Sequence, residues 1–186
     1  MNRFKTTNLP LSGLKLIERL PIGDHRGSFT RLFCSKELTS IGWLKPIEQI
    51  NHSYTQSRGA LRGMHFQHPP YAEMKLVTCL QGKIWDVVID LRKDSATFLQ
   101  YHGEYLSAEN NKALLIPEGF AHGYQTISDD VELLYCHSQA YQPDAESGIS
   151  PMNEEINIPW PLPVSDVSQR DINLPILPNH FKGLIL

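Results

Sequence analysis

The sequence predicts a mainly β chain, folded as an antiparallel sandwich or closed barrel with a short helix and a proline-rich C-terminal tail. Alternation of apolar and polar residues with period two recurs far more often than helical periodicity. Thirteen prolines and twelve glycines cut the chain into short pieces. Those pieces are of roughly even spacing, as the strands of a sandwich or barrel are. A length of 186 residues suits one domain, here residues 1–186.

Ten alternating runs are the expected strands: Leu14–Leu20, Ser28–Phe33, Ile47–Tyr54, Ala60–His68, Met74–Leu80, Lys83–Leu91, Phe98–Leu106, Asn111–Ile116, Gly123–Ile127 and Glu132–Tyr141. The helix is expected at Lys36–Ile41, with Ser35 as its N-cap and Gly42 as its stop. Gln81-Gly82 separates two alternating runs and reads as a hairpin turn, because glycine accepts the positive φ that tight hairpins require. The run after it places Trp85, Val87, Ile89 and Leu91 on one face and Ile84, Asp86, Val88 and Asp90 on the other. Two carboxylates among aliphatics need partners. Beyond Tyr141 the chain is rich in proline and loses alternation, reading as a wrapped tail with a polar segment at Ser168–Asp171.

Seventeen basic and twenty acidic residues give a formal charge of −3, so no polycationic surface is available for nucleic acid. The N-terminal twenty residues carry Arg3, Lys5, Lys15, Glu18 and Arg19, leaving no uncharged secretion segment, and read as mature protein. The longest apolar stretch, Leu76–Leu91, is interrupted by Gln81, Lys83, Asp86 and Asp90, too short and too charged to span a bilayer. Cys34, Cys79 and Cys136 are odd in number and widely spaced, which argues against a disulfide framework and fits a reducing cytoplasm.

Two segments carry candidate chemistry. Arg62-Gly63-Met64-His65-Phe66-Gln67 sets a histidine on a strand, where imidazole can serve as a base or a metal ligand. In an extended conformation Leu61, Gly63, His65 and Gln67 share one face and Arg62, Met64 and Phe66 the other. Ile116-Pro117-Glu118-Gly119-Phe120-Ala121-His122-Gly123 is a turn followed by a histidine entering a strand. Together they resemble the two half-motifs of the cupin barrel, H-x-H and P-x-G-x-x-H, and so imply an antiparallel jelly roll of cupin type. Gln67 stands where the second histidine would be, leaving His65 and His122 as a thin ligand set for a first-row metal. Neither metal nor cofactor is expected.

A wider series of motifs follows in order: Asp24-His25-Arg26-Gly27-Ser28-Phe29, Gln49-Ile50-Asn51-His52-Ser53, Leu61 to Gln67, Lys75-Leu76-Val77, Asp86 to Arg92, Leu106-Ser107-Ala108-Glu109-Asn110, Pro117 to Gly123, Leu134-Tyr135, Tyr141, Ile158-Pro159-Trp160-Pro161-Leu162 and Ser168-Gln169-Arg170-Asp171. The series resembles the dTDP-4-dehydrorhamnose 3,5-epimerases over roughly residues 10–176. The resemblance implies an isomerase that acts on a nucleotide-linked 4-keto-6-deoxyhexose, removing a proton beside the ketone and returning one on the opposite face. Such chemistry needs a base, a stabiliser for the enolate oxygen, and an acid across the ring.

By that resemblance His65 is the base, Asp171 its carboxylate partner, Lys75 the cation at the enolate oxygen, and Tyr135 the acid. Asp171 must then fold back over the barrel mouth, and Asp86 is placed to orient Lys75. His122 and Tyr141 are expected to line the site. Arg26, Arg62, Gln49 and Asn51 match positions that hold the sugar diphosphate, where guanidinium groups suit phosphate oxygens. The family's N-terminal strands cross to a neighbouring subunit, so a homodimer is implied in which Arg26 and Phe29 complete the partner's site. The chain departs from the family pattern at Ile22, Ser28, Arg31 and Ala140, residues that frame the nucleoside. Which nucleotide is carried, and whether carbon 3, carbon 5 or both invert, stay open at this point. So do two rival readings, a metal-dependent cupin enzyme and a non-catalytic sugar-nucleotide binding module.

Overall fold

Alternation along residues 83–90 sets the layering of the molecule: Ile84 and Val88 point into one apolar layer, Val87 and Ile89 into another. The computed structural model describes residues 2–178 and 180–186. In chain order the elements are β1 (Phe4–Asn8), β2 (Lys15–Arg19), β3 (Ile22–Asp24), β4 (Gly27–Phe29), α1 (Ser35–Thr39), β5 (Gln49–Thr55), β6 (Ala60–Gln67), β7 (Lys75–Gln81), β8 (Lys83–Asp90), β9 (Tyr101–Ser107), β10 (Lys112–Ile116), β11 (Phe120–Thr126), β12 (Val131–His137), β13 (Glu146–Gly148), β14 (Asp166–Val167) and α2 (Gln169–Ile172). One sheet runs β1-β2-β10-β7-β12-β5 and a second runs β13-β6-β11-β8-β9. All of these pairs are antiparallel, while β14 joins β6 in parallel. This is the expected mainly β, antiparallel jelly roll of cupin type.

Three apolar layers hold it. Val77, Cys79, Leu114 and Leu133 of the first sheet meet Ile84, Val88 and Tyr124 of the second in the central layer. Leu38 of α1 and Trp43 cover the outer face of the first sheet over Ile17, Leu76 and Leu115. The C-terminal tail covers the outer face of the second, where Ile149, Ile156, Ile158 and Leu184 pack on Met64, Val87 and Ile89. Each fully buried aliphatic of this kind contributes about 1.5–3 kcal/mol. The tail is thus wrapped, and β14 and α2 hold its polar segment against β6. Among the described residues no helix is long and apolar enough to cross a membrane.

Several boundaries differ from expectation. The Gln81-Gly82 corner is not a hairpin, because β7 pairs with β10 and β12 whereas β8 pairs with β9 and β11. Gly82, at φ 74°, instead carries the chain from one sheet to the other. Helix α1 begins at Ser35, so Cys34 occupies the N-cap and makes no side-chain cap bond. Ser28–Phe33 shortens to β4, which among the described residues pairs with β3 alone. The run Glu132–Tyr141 ends as a strand at His137, and β1, β3, β13, β14 and α2 lie outside the expected elements.

Candidate active site

A cavity of about 590 Å³ opens between the sheets, walled by β5, β7 and β12 on one side, β6 and β11 on the other, and closed at one edge by α2. Of the expected site residues, His65, Asp171, Tyr135, Lys75, Gln49, Asn51, Arg62, His122 and Tyr141 all line it. Arg26 and Phe29 do not. They lie on the β3–β4 hairpin beside a separate hollow, with Phe29 68% exposed and Arg26 paired to Asp24 at 2.6 Å.

His65 and Asp171 meet across 106 residues of sequence, Nε2 to Oδ1 at 2.7 Å. The other carboxylate oxygen accepts the Gly63 backbone N–H at 3.2 Å. Ser168 caps α2 by accepting the Asp171 N–H, which sets the carboxylate in place. Burial works to raise the Asp171 carboxyl's pKa, but the hydrogen bond and charge of His65 and the Gly63 N–H outweigh it, leaving it below the ordinary aspartate value. An ionised Asp171 accepts at both oxygens, so a neutral His65 carries its proton on Nε2. Nδ1 is then the free basic nitrogen.

Pairing between β6 and β11 matches His122 with His65 but Tyr124 with Arg62, so β6 holds one extra residue there. That irregularity corrects the face assignment. Arg62 and His65, which strict alternation puts on opposite faces, both line the cavity. It depends on Gly63: a Cβ there would lie 2.5 Å from Gly123 Cα and 2.9 Å from the His122 carbonyl oxygen, at φ 124°.

Lys75 is nearly buried, and its partner is Glu73, not Asp86, with Nζ to Oε1 at 3.0 Å. The second Glu73 oxygen accepts from His137 Nδ1 at 2.8 Å. Burial would raise the Glu73 carboxyl, but Lys75 and His137 outweigh it and hold it below the usual glutamate value. Asp86 is engaged by His122 at 2.7 Å, both side chains being buried. Burial of Asp86 outweighs the His122 charge and raises its pKa, and its other oxygen has no hydrogen-bond partner among the described residues. His122 therefore is held by Asp86.

Tyr135 stands on β12, on the sheet facing His65, with its ring edge-on to His122 and stacked on His137. Burial, with Tyr124 and Asp86 nearby, pushes its phenol well above the ordinary tyrosine pKa, so it is protonated at neutral pH. Tyr141 follows the end of β12 and is half exposed at the mouth, donating to Glu146 at 2.6 Å. Gln49 and Asn51 sit on β5, bonded Nε2 to Oδ1 at 3.0 Å. Gln67 spends its amide on loop backbone, donating to the Tyr71 carbonyl and accepting the Gln142 N–H. Among the described residues no three His, Cys, Asp or Glu side chains are grouped to hold a metal ion.

Sequence reasoning missed Glu73 and His137. Each lies two residues from a chosen residue, Lys75 and Tyr135, and period-two alternation directs such pairs to one side.

The arrangement offers a free imidazole nitrogen on one wall, a phenol on the other, and an ammonium held by the Glu73 carboxylate. The family model described as dTDP-4-dehydrorhamnose 3,5-epimerase matches residues 8–179. A curated dTDP-4-dehydrorhamnose 3,5-epimerase from Shigella flexneri is 41% identical over 174 residues, covering 93% of this chain and 94% of its own. The crystal structure of the enzyme of that name from Bacillus anthracis, with TDP and PPi bound, superposes with a TM-score of 0.91 at 40% identity, over 94% of this chain and 99% of that one. That of the dTDP-6-deoxy-D-glucose-3,5-epimerase from Legionella pneumophila, in complex with dTDP-4-keto-L-rhamnose, superposes at 0.89 with 34% identity, over 93% and 92%.

Proposed function

This chain belongs to the dTDP-4-dehydrorhamnose 3,5-epimerase family, and from that premise we propose that it converts dTDP-4-dehydro-6-deoxyglucose into dTDP-4-dehydrorhamnose within this cavity. It is an isomerase. His65 Nδ1 takes the proton from the carbon beside the ketone, and the C–H electron pair becomes the enolate double bond while the carbonyl pair moves to oxygen. Asp171 stabilises the imidazolium that forms. The Lys75 ammonium faces the enolate oxygen, where a fixed positive charge in a water-poor site is most effective. Tyr135 returns a proton from the opposite wall as the carbonyl re-forms, which inverts the carbon; once His65 has released its proton to solvent and the Tyr135 phenolate has taken one up, repetition at the second carbon completes the double epimerisation.

The 2.7 Å His65–Asp171 hydrogen bond carries this reading, because a polar strand residue and a distant tail residue meet there in the geometry a base requires. Arg62, Gln49 and Asn51 are read as the diphosphate and sugar contacts, with Tyr141 at the mouth. The exposed β3–β4 hairpin supports a homodimer in which Arg26 and Phe29 reach the partner's site. The cytoplasm is the proposed location, supported by three free cysteines. Incubation with dTDP-4-dehydro-6-deoxyglucose, followed by NMR of the product, tests the reaction: the expected result is the L-rhamno configuration, and unaltered substrate rejects it.

A further inference from the structure

The proposed reaction leaves Glu73, which is partly buried, and His137, which is buried, without a task on the cavity wall. Their hydrogen bonds form one directed series. The Tyr141 backbone N–H donates to Gln49 Oε1 at 2.9 Å, Gln49 Nε2 to Asn51 Oδ1 at 3.0 Å, and Asn51 Nδ2 to His137 Nε2 at 3.4 Å. His137 Nδ1 then donates to Glu73 Oε2 at 2.8 Å, and Lys75 Nζ to Glu73 Oε1 at 3.0 Å. A backbone N–H can only donate, so Gln49 must present its oxygen to Tyr141 and its amide nitrogen to Asn51. The same logic passes on: Asn51 presents its nitrogen to His137, whose Nε2 accepts and whose Nδ1 bears the proton. Only an ionised Glu73 can receive both His137 and Lys75.

The series crosses three adjacent strands at one level. His137 on β12 is paired with Lys75 on β7 and with Gln49 on β5. It therefore joins the cation assigned to the ketone oxygen to the amides assigned to the sugar diphosphate. We infer that Glu73 and His137 are positioning residues: Glu73 holds the Lys75 ammonium at the ketone, and His137 fixes the amide orientations of Asn51 and Gln49 toward the sugar diphosphate. This rests on the proposed epimerase reaction.

Steady-state kinetics on dTDP-4-dehydro-6-deoxyglucose separate the two arms. Glu73→Gln removes the negative charge and keeps one acceptor oxygen, which Lys75 takes because an ammonium can only donate; held by one neutral hydrogen bond in place of an ion pair, Lys75 is less firmly seated and kcat falls about tenfold to a hundredfold. His137→Phe keeps the ring stacked on Tyr135 but removes both hydrogen bonds, so KM rises about fivefold while kcat stays within about twofold. If His137→Phe leaves KM unchanged, or both variants lower kcat alike with no KM split, the positioning roles are wrong. Should Glu73→Gln fail to fold, Glu73→Asp, which keeps both carboxylate oxygens on an arm one methylene shorter, tests that role, and a kcat within about twofold of wild type rejects it. An inactive wild type would instead reject the epimerase reading, which keeps the two failures distinguishable.

Discussion

Replacing Asp171 by Asn changes one oxygen to nitrogen, yet the geometry makes it a severe perturbation. The carboxylate accepts twice, from His65 Nε2 at 2.7 Å and from the Gly63 N–H at 3.2 Å. An amide has one acceptor, and the backbone N–H cannot reverse its polarity, so the Asn oxygen turns to Gly63 and the NH2 group to His65. His65 must then accept at Nε2 and carry its proton on Nδ1, the nitrogen that should take the substrate's proton. Forcing the wrong tautomer in this way costs serine proteases about 10⁴ in kcat. A loss of about 10³–10⁴-fold is expected here, equivalent to about 4–5.5 kcal/mol of transition-state stabilisation. KM should change little, because the side chain lies behind the base. The assay is initial-rate formation of dTDP-4-dehydrorhamnose by NMR or coupled reduction. An Asp171→Asn enzyme within tenfold of wild type would refute the tautomer argument.

Tyr135→Phe keeps the ring but removes the proton donor, so inversion should slow about 10²–10⁴-fold. His65-dependent exchange of the substrate proton with solvent should continue, measured by mass spectrometry. Gly63→Ala places a Cβ 2.5 Å from Gly123 Cα at an unfavourable φ and should cost about 3 kcal/mol or more of stability, read from denaturant unfolding. Burial works to raise the Asp90 carboxyl's pKa, but hydrogen bonds from Arg92, Ser95 and Thr97 outweigh it and lower it from 3.8 to about 2. A depressed carboxylate stabilises the fold above its unfolded value and loses that contribution as pH falls toward its folded one. The stability gap between wild type and Asp90→Asn should therefore shrink by about 1–2 kcal/mol between pH 4 and pH 2.

The strand pattern was legible where one face meets the core. Residues 83–90 show the expected alternation, and both carboxylates on the inner face have partners, Asp86 in His122 and Asp90 in Arg92, Ser95 and Thr97. Gly82 was misread because a positive-φ glycine between alternating runs looks the same in a hairpin and in a corner between sheets; only non-local pairing tells them apart. Arg62 was assigned the wrong face because the extra residue in β6 appears only in its register with β11. The pairing of Lys75 with Asp86 failed for a related reason. A strand adjacent to Lys75 in sequence proved to belong to the opposite sheet, and the nearer carboxylate, two residues away at Glu73, captured the ammonium. β3, β13 and β14, two or three residues long, lack the length to show a period, and β1 buries only Phe4, so its sequence carries no alternation.

The central claim is proton removal by His65, and exchange in deuterated water measures it directly. Wild type incubated with dTDP-4-dehydro-6-deoxyglucose should yield dTDP-4-dehydrorhamnose bearing deuterium at carbons 3 and 5. A folded His65→Asn variant should yield none at either carbon on the same timescale. Undiminished deuterium uptake by that variant would contradict the account.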